Sequence, residues 1–189
     1  MKKIILKSSS PRRKELLTKM GYEFEIKVYP VDETMDKDKT PFDNVKELSY
    51  KKAVINMEED YGAILIGCDT IVVLDDKIYG KPKDEADARR MLRELSGKCH
   101  KVMSGLTTIY KNMCYSIVET SKVYFKNLSD EDIDNYIKTG ECFGKAGAYA
   151  IQGIGKSLVD HYEGSLNNII GLPTEKLELL LGELNEMED

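Results

Sequence analysis

The sequence has no tryptophan, two histidines, four cysteines and five prolines in 189 residues. Each shortage removes a class of protein. A helix that crosses a bilayer needs about 20 consecutive apolar residues. The most apolar stretch, AILIGCDTIVVL, is shorter and contains an aspartate. The basic start MKKIILKSSSPRRK has only IIL as its apolar segment, too short for a secretory signal. Cys68, Cys99, Cys114 and Cys142 form no CxxC pair, and with only His100 and His161 there is no zinc-ligand spacing. We read reduced thiols in a cytoplasmic protein. The formal net charge is -5, and no stripe of alternating aromatic and basic residues is present. That speaks against a nucleic-acid partner, as the lack of long apolar runs speaks against a membrane partner.

What is there suits an α/β fold. The chain is 41% hydrophobic and 32% charged, enough apolar content for a sizeable core. No repeat, low-complexity tract or linker divides it, so residues 1–189 read as one domain, single or bilobed. Residues 3–7, 23–28, 63–74, 77–79, 99–110, 114–125 and 158–162 read as strands. Residues 11–20, 41–60, a stretch after Asp84, 130–138 and a last segment carrying Leu177, Leu180, Leu181 and Leu184 read as helices. The glycine-rich GKAGAYAIQGIG leads into the last strand, and the closing EMED reads as a frayed tail. Strands, helices and a hairpin mixed in this way predict a mixed α/β sheet.

Several charges stand where they are costly. In SSSPRRKELL, Ser10 suits an N-cap and Pro11 the first helical position, which puts Arg12 and Arg13 in the first turn. Cations are mildly unfavourable there, by about 0.3–1 kcal/mol each. A bound anion held by hydroxyls, helix N–H groups and two guanidinium forks would explain them. Surface placement would explain them equally well. Asp69 interrupts the buried run, and an ionised carboxylate there needs a partner, a metal or an open site. Lys52 falls on the apolar stripe of Val45, Leu48 and Ile55, where snorkelling is the ordinary alternative. Lys81 in YGKP and Glu33 in VDET look unremarkable alone. Together, these cations and carboxylates fit a phosphate ligand bridged by a hard divalent metal. Gly155-Lys156-Ser157 imitates the end of a phosphate-binding loop, but its required first glycine is Ala150, so an ATPase or GTPase is rejected.

SSSPRRKELL, VDET, LSYKKA, IGCDTIVV, GKPKD, LSGKCHKV, KAGAYAIQG and NNIIGLP follow one another in the order seen in the Maf family of nucleoside triphosphate pyrophosphatases. The chain resembles that family nearly end to end. The pair Asp69-Thr70 and the triplet Ile151-Gln152-Gly153 resemble its dTTP/UTP branch rather than the 7-methyl-GTP branch. The resemblance implies a long curved mixed sheet flanked by helices, like that of inosine triphosphate pyrophosphatases, with a central cleft. It implies hydrolysis to a monophosphate and pyrophosphate, with Asp69 as proton acceptor. Glu33, Lys52 and Lys81 join it in the catalytic set, and Glu33 and Asp69 are the candidate ligands of Mg2+ or Mn2+, with Asp69 acting either as general base on a water or as a metal ligand. Ser8, Arg12, Arg13, Thr70 and Gln152 are implied to bind substrate. A homodimer is also implied. A rival reading is a nucleotide-binding regulator of cell division with weak turnover. Two departures stand out: Gly144 where an acidic residue usually precedes KAG, and Lys7 with Ser9 in a more polar opening motif.

Overall fold

The computed structural model describes residues 2–187. Glu188 and Asp189, the end of the expected tail, lie outside the described residues, while Glu186 is still helical. The strands are β1 (Ile4–Leu6), β2 (Glu25–Ile26), β3 (Ile64–Leu74), β4 (Lys77–Tyr79), β5 (Cys99–Tyr110), β6 (Met113–Phe125) and β7 (Val159–Glu163). The helices are α1 (Pro11–Lys19), α2 (Pro41–Val54), α3 (Glu85–Leu95), α4 (Asp130–Lys138), α5 (Leu166–Ile170) and α6 (Thr174–Glu186). The seven strands form one sheet in the order β2-β1-β3-β5-β6-β7, with β4 paired to β3. β1 runs parallel to β2 and β3, whereas β3–β4 and β6–β7 are antiparallel. The mixed α/β sheet expected from the sequence is therefore present.

The helix starts follow the capping residues. Ser10, Thr40, Asp84 and Ser129 each accept a backbone N–H three residues on, and Ser129 with Asp132 forms a full capping box. The ends follow less simply. α2 stops at Val54, not near residue 60, because Ile55 leaves helical geometry and Asn56 turns left-handed at φ 51°. Asparagine tolerates that region better than most residues. A 3-10 turn, Met57–Asp60, follows. The glycine-rich stretch forms two further 3-10 turns, Ala146–Ala148 and Gly153–Leu158.

The described chain resolves into two compact units. The first contains the chain up to Asp69, Ser104–Glu119 and the chain from Gly171 on; the second contains Thr70–Met103 and Thr120–Ile170. In the first, Ile5, Ala53, Ala63, Leu65 and Ile109 pack as an apolar cluster. Lys7, the unusual residue of the opening motif, is buried beside Asp60, with Nζ 2.8 Å from Oδ2 and 3.2 Å from the Ile55 carbonyl. Lys27 bonds the other Asp60 oxygen. Burial pushes the Asp60 carboxyl up, but the bonds from Lys27 and Lys7 outweigh it and hold it below the usual range.

The second unit buries His100 to 1% exposure. Its Nε2 lies 2.7 Å from the Tyr149 hydroxyl, and its ring meets Phe125 and Tyr149 edge-on at 5.0 and 5.4 Å. Desolvation lowers its pKa to about 4, so the imidazole is neutral at ordinary pH. Among the described residues, no helix is long and apolar enough to cross a membrane.

Candidate functional site

Two glycines bring α2 down onto the sheet. A Cβ on Gly67 of β3 would lie 2.3 Å from the Ser49 carbonyl and 2.6 Å from the Ala53 nitrogen. One on Gly105 of β5 would lie 2.2 Å from the Val45 carbonyl. Only glycine permits so close a backbone approach. Asp69 stands two residues beyond Gly67 on the same strand face, and Lys52 stands on the same helix face as Ser49. The approach therefore brings Lys52 to Asp69. Nζ lies 2.6 Å from Asp69 Oδ1 and 2.8 Å from Glu33 Oε1.

One ammonium thus joins two carboxylates. The Lys52 and Asp69 side chains are mostly buried, at 13% and 15% exposure, while Glu33 is 51% exposed. Lys52 is no snorkelling stem, and Asp69 has the partner that its position demanded. Glu33, which looked solvent-facing alone, reaches inward from its loop.

A second group forms around the first turn of α1. The buried Arg13 donates from Nε to the Gly171 carbonyl at 2.8 Å and from a terminal nitrogen to Ser8 Oγ at 3.1 Å. Ser8 Oγ also accepts the Ser10 N–H at 3.3 Å. Arg13 thus ties the opening motif to the closing NNIIGLP. Arg12 is half-buried on the same turn. The Cys68 thiol donates to the Gly171 carbonyl at 3.4 Å and also feels Arg13, Asp69 and Lys52, so it links the two groups. Burial pushes its pKa up, which leaves a protonated thiol and no nucleophile. Gly67, Cys68 and Gly171 were not singled out from sequence. A glycine inside a buried strand run was the available signal for Gly67.

Thr70, Lys81 and Gln152 belong to the second unit. Thr70 follows Asp69 on β3 and is half-buried. Lys81 lies exposed between β4 and α3, and Gln152 is exposed at the head of the Gly153–Leu158 turn.

Glu33 and Asp69 supply the hard oxygen donors that a small divalent cation takes. Among the described residues, no three His, Cys, Asp or Glu side chains gather as a metal cage. Two carboxylates suit a cation of the Mg2+ type, which keeps water and phosphate oxygens as its other ligands. The donor set therefore fits such an ion.

Comparison with known proteins agrees with the residue pattern. The family model described as "Maf-like protein" matches residues 3–184. A protein of Ruminiclostridium cellulolyticum named dTTP/UTP pyrophosphatase is 44% identical over 189 residues, covering 98% of each chain. Proteins of the same name from Thermoanaerobacter sp. and Vibrio cholerae are 47% and 43% identical, each over 180 residues, with at least 93% of each chain covered. Coverage at both ends and the ordered motifs lead to one conclusion: the chain belongs to the Maf family.

Proposed function

We propose that this chain hydrolyses dTTP and UTP at the α–β phosphoanhydride, releasing pyrophosphate and the nucleoside monophosphate. The observation that carries the reading is the contact of Lys52 with both Glu33 and Asp69. Its relatives, named dTTP/UTP pyrophosphatase, support the substrate. In this reading the two units act as one catalytic domain, in the cytoplasm where the nucleotide pool is.

Asp69 accepts the proton of the attacking water, with its carboxylate oriented by Lys52. Arg12 and the Arg13–Ser8 pair carry the triphosphate charge, and Lys81 adds to them. Glu33 and Asp69 would hold Mg2+ or Mn2+, which when bound supplies Lewis-acid charge to the phosphate oxygens.

Gln152 and Thr70 read the base. Uracil and thymine present an N3–H donor flanked by carbonyl acceptors, and a glutamine amide offers the matching acceptor and donor. Cytosine reverses part of that edge, so the amide has to turn over or leave a polar group at the contact unpaired, which costs roughly 1–3 kcal/mol where the bound base excludes water. A panel of nucleoside triphosphates should show dTTP and UTP ahead of CTP and the purines by at least about tenfold in kcat/KM, since tenfold corresponds to about 1.4 kcal/mol. Gln152→Glu should erode that margin, because a carboxylate only accepts. A wild-type preference for 7-methyl-GTP or ITP would overturn the assignment of Thr70 and Gln152.

A further inference from the structure

Gln152 stands at the head of a turn whose backbone is tied to one carboxylate. Glu141, three residues past the end of α4, accepts the Ile154 N–H on Oε1 at 3.1 Å and the Gly155 N–H on Oε2 at 2.7 Å. On the other side of Gln152, the Ala150 N–H donates to the buried Tyr136 hydroxyl at 3.2 Å. Burial pushes the pKa of that hydroxyl up, against the Ala150 bond, so it stays protonated. Two anchors therefore bracket Gln152: Tyr136 holds Ala150 before it, and Glu141 holds Ile154 and Gly155 after it.

The fit is tight. Gly153 is left-handed at φ +69°, and a Cβ there would fall 2.3 Å from Glu141 Oε1. A Cβ on Gly155 would fall 2.1 Å from the Ala150 carbonyl and 2.9 Å from the Tyr136 hydroxyl. By contrast, Gly144, the departure from the family pattern, has open space around its Cβ position and so contributes no such hold.

We propose that Glu141 is a positioning residue that sets base preference by fixing the turn that presents Gln152. The inference rests on the reading of Gln152 as the residue that meets the base. The chemistry makes rigidity matter. Uracil and cytosine differ by exchange of donor and acceptor, and a glutamine on a loose turn accommodates either by rotation or shift. Held at both sides, the backbone fixes the point and direction from which the Gln152 side chain reaches the base, so the amide is not free to shift along the base edge to suit cytosine. Glu141 therefore acts on discrimination and not on the bond-breaking step, and its carboxylate is specifically required because it accepts at both oxygens.

The test compares wild type, Glu141→Gln, Gln152→Ala and the double variant in steady-state pyrophosphate release from dTTP, UTP and CTP. Glu141→Gln keeps shape but aims an amide NH2 at a backbone N–H. The expected result is KM for dTTP and UTP raised about tenfold, KM for CTP unchanged, and kcat within about twofold. Discrimination then falls about tenfold, and the double variant is no worse than Gln152→Ala, since both act through one group. Should Gln152→Ala abolish discrimination while Glu141→Gln retains it, or lower all three nucleotides equally through kcat, the positioning role is overturned and the base-reading role stands. Unchanged discrimination in Gln152→Ala overturns the base-reading role and the positioning role with it.

Discussion

Asp69→Asn should lower turnover of dTTP by about 10²–10⁴-fold, the usual scale for loss of general acid–base catalysis. The substitution changes little else. The asparagine oxygen still accepts from Lys52, now 2.6 Å from Asp69 Oδ1, and Lys52 keeps Glu33 as a counter-charge at 2.8 Å. Folding stability should therefore hold to within about 1 kcal/mol. A desolvated carboxylate replaced by an isosteric amide even removes a burial cost. Steady-state rates beside a thermal melt separate the two effects. Near-normal turnover in a stable variant would make Asp69 a structural partner of Lys52 and nothing more.

The protein should also lose about 3 kcal/mol of stability between pH 7 and pH 4 on account of His100 alone. The unfolded chain protonates this side chain below about 6.5, whereas the folded chain resists until about 4, because burial disfavours the imidazolium. Over that window the unfolded state binds more protons, so stability is complete above 6.5 and drains as the pH falls. The ring's contacts are Tyr149 and Phe125, and desolvation alone lowers its pKa. Glu94, held at about 2 by bonds from Lys77 and then Tyr79, adds its own loss once the unfolded carboxyl protonates near 4.5, so the His100 slope is read above about pH 5. Urea titrations at steps of half a pH unit measure the slope, and His100→Gln, which keeps a hydrogen-bonding group toward Tyr149, should flatten it. Equal slopes in the two proteins would mean that His100 charges freely in the folded state.

Local signals in this sequence carried the fold further than they carried the site. Ser10, Thr40, Asp84 and Ser129 each cap a helix start, and such starts are legible locally because capping is a contact within four residues. The end of α2 was misjudged because Asn56 breaks the helix by backbone conformation, while the apolar spacing runs on past it. α5 was missed because five residues show no period. Asp69 and Lys52 were legible as misplaced charges in apolar patterns. Their mutual contact was not, since it depends on Gly67 and Gly105 letting α2 approach β3 and β5. Arg13 was legible as an oddity, but its bond to the Gly171 carbonyl joins residues 158 apart in sequence, which no local pattern encodes. Glu141 left no trace in the pattern at all: an acidic residue in a loop is ordinary until its two N–H partners are located.

The most direct test of the central claim is the identity of the phosphorus products. Phosphorus magnetic resonance of the purified protein with dTTP and Mg2+ or Mn2+, followed to full turnover, should show pyrophosphate and dTMP in equal amounts. Orthophosphate together with dTDP would place the cleavage at the γ-phosphate and contradict the account.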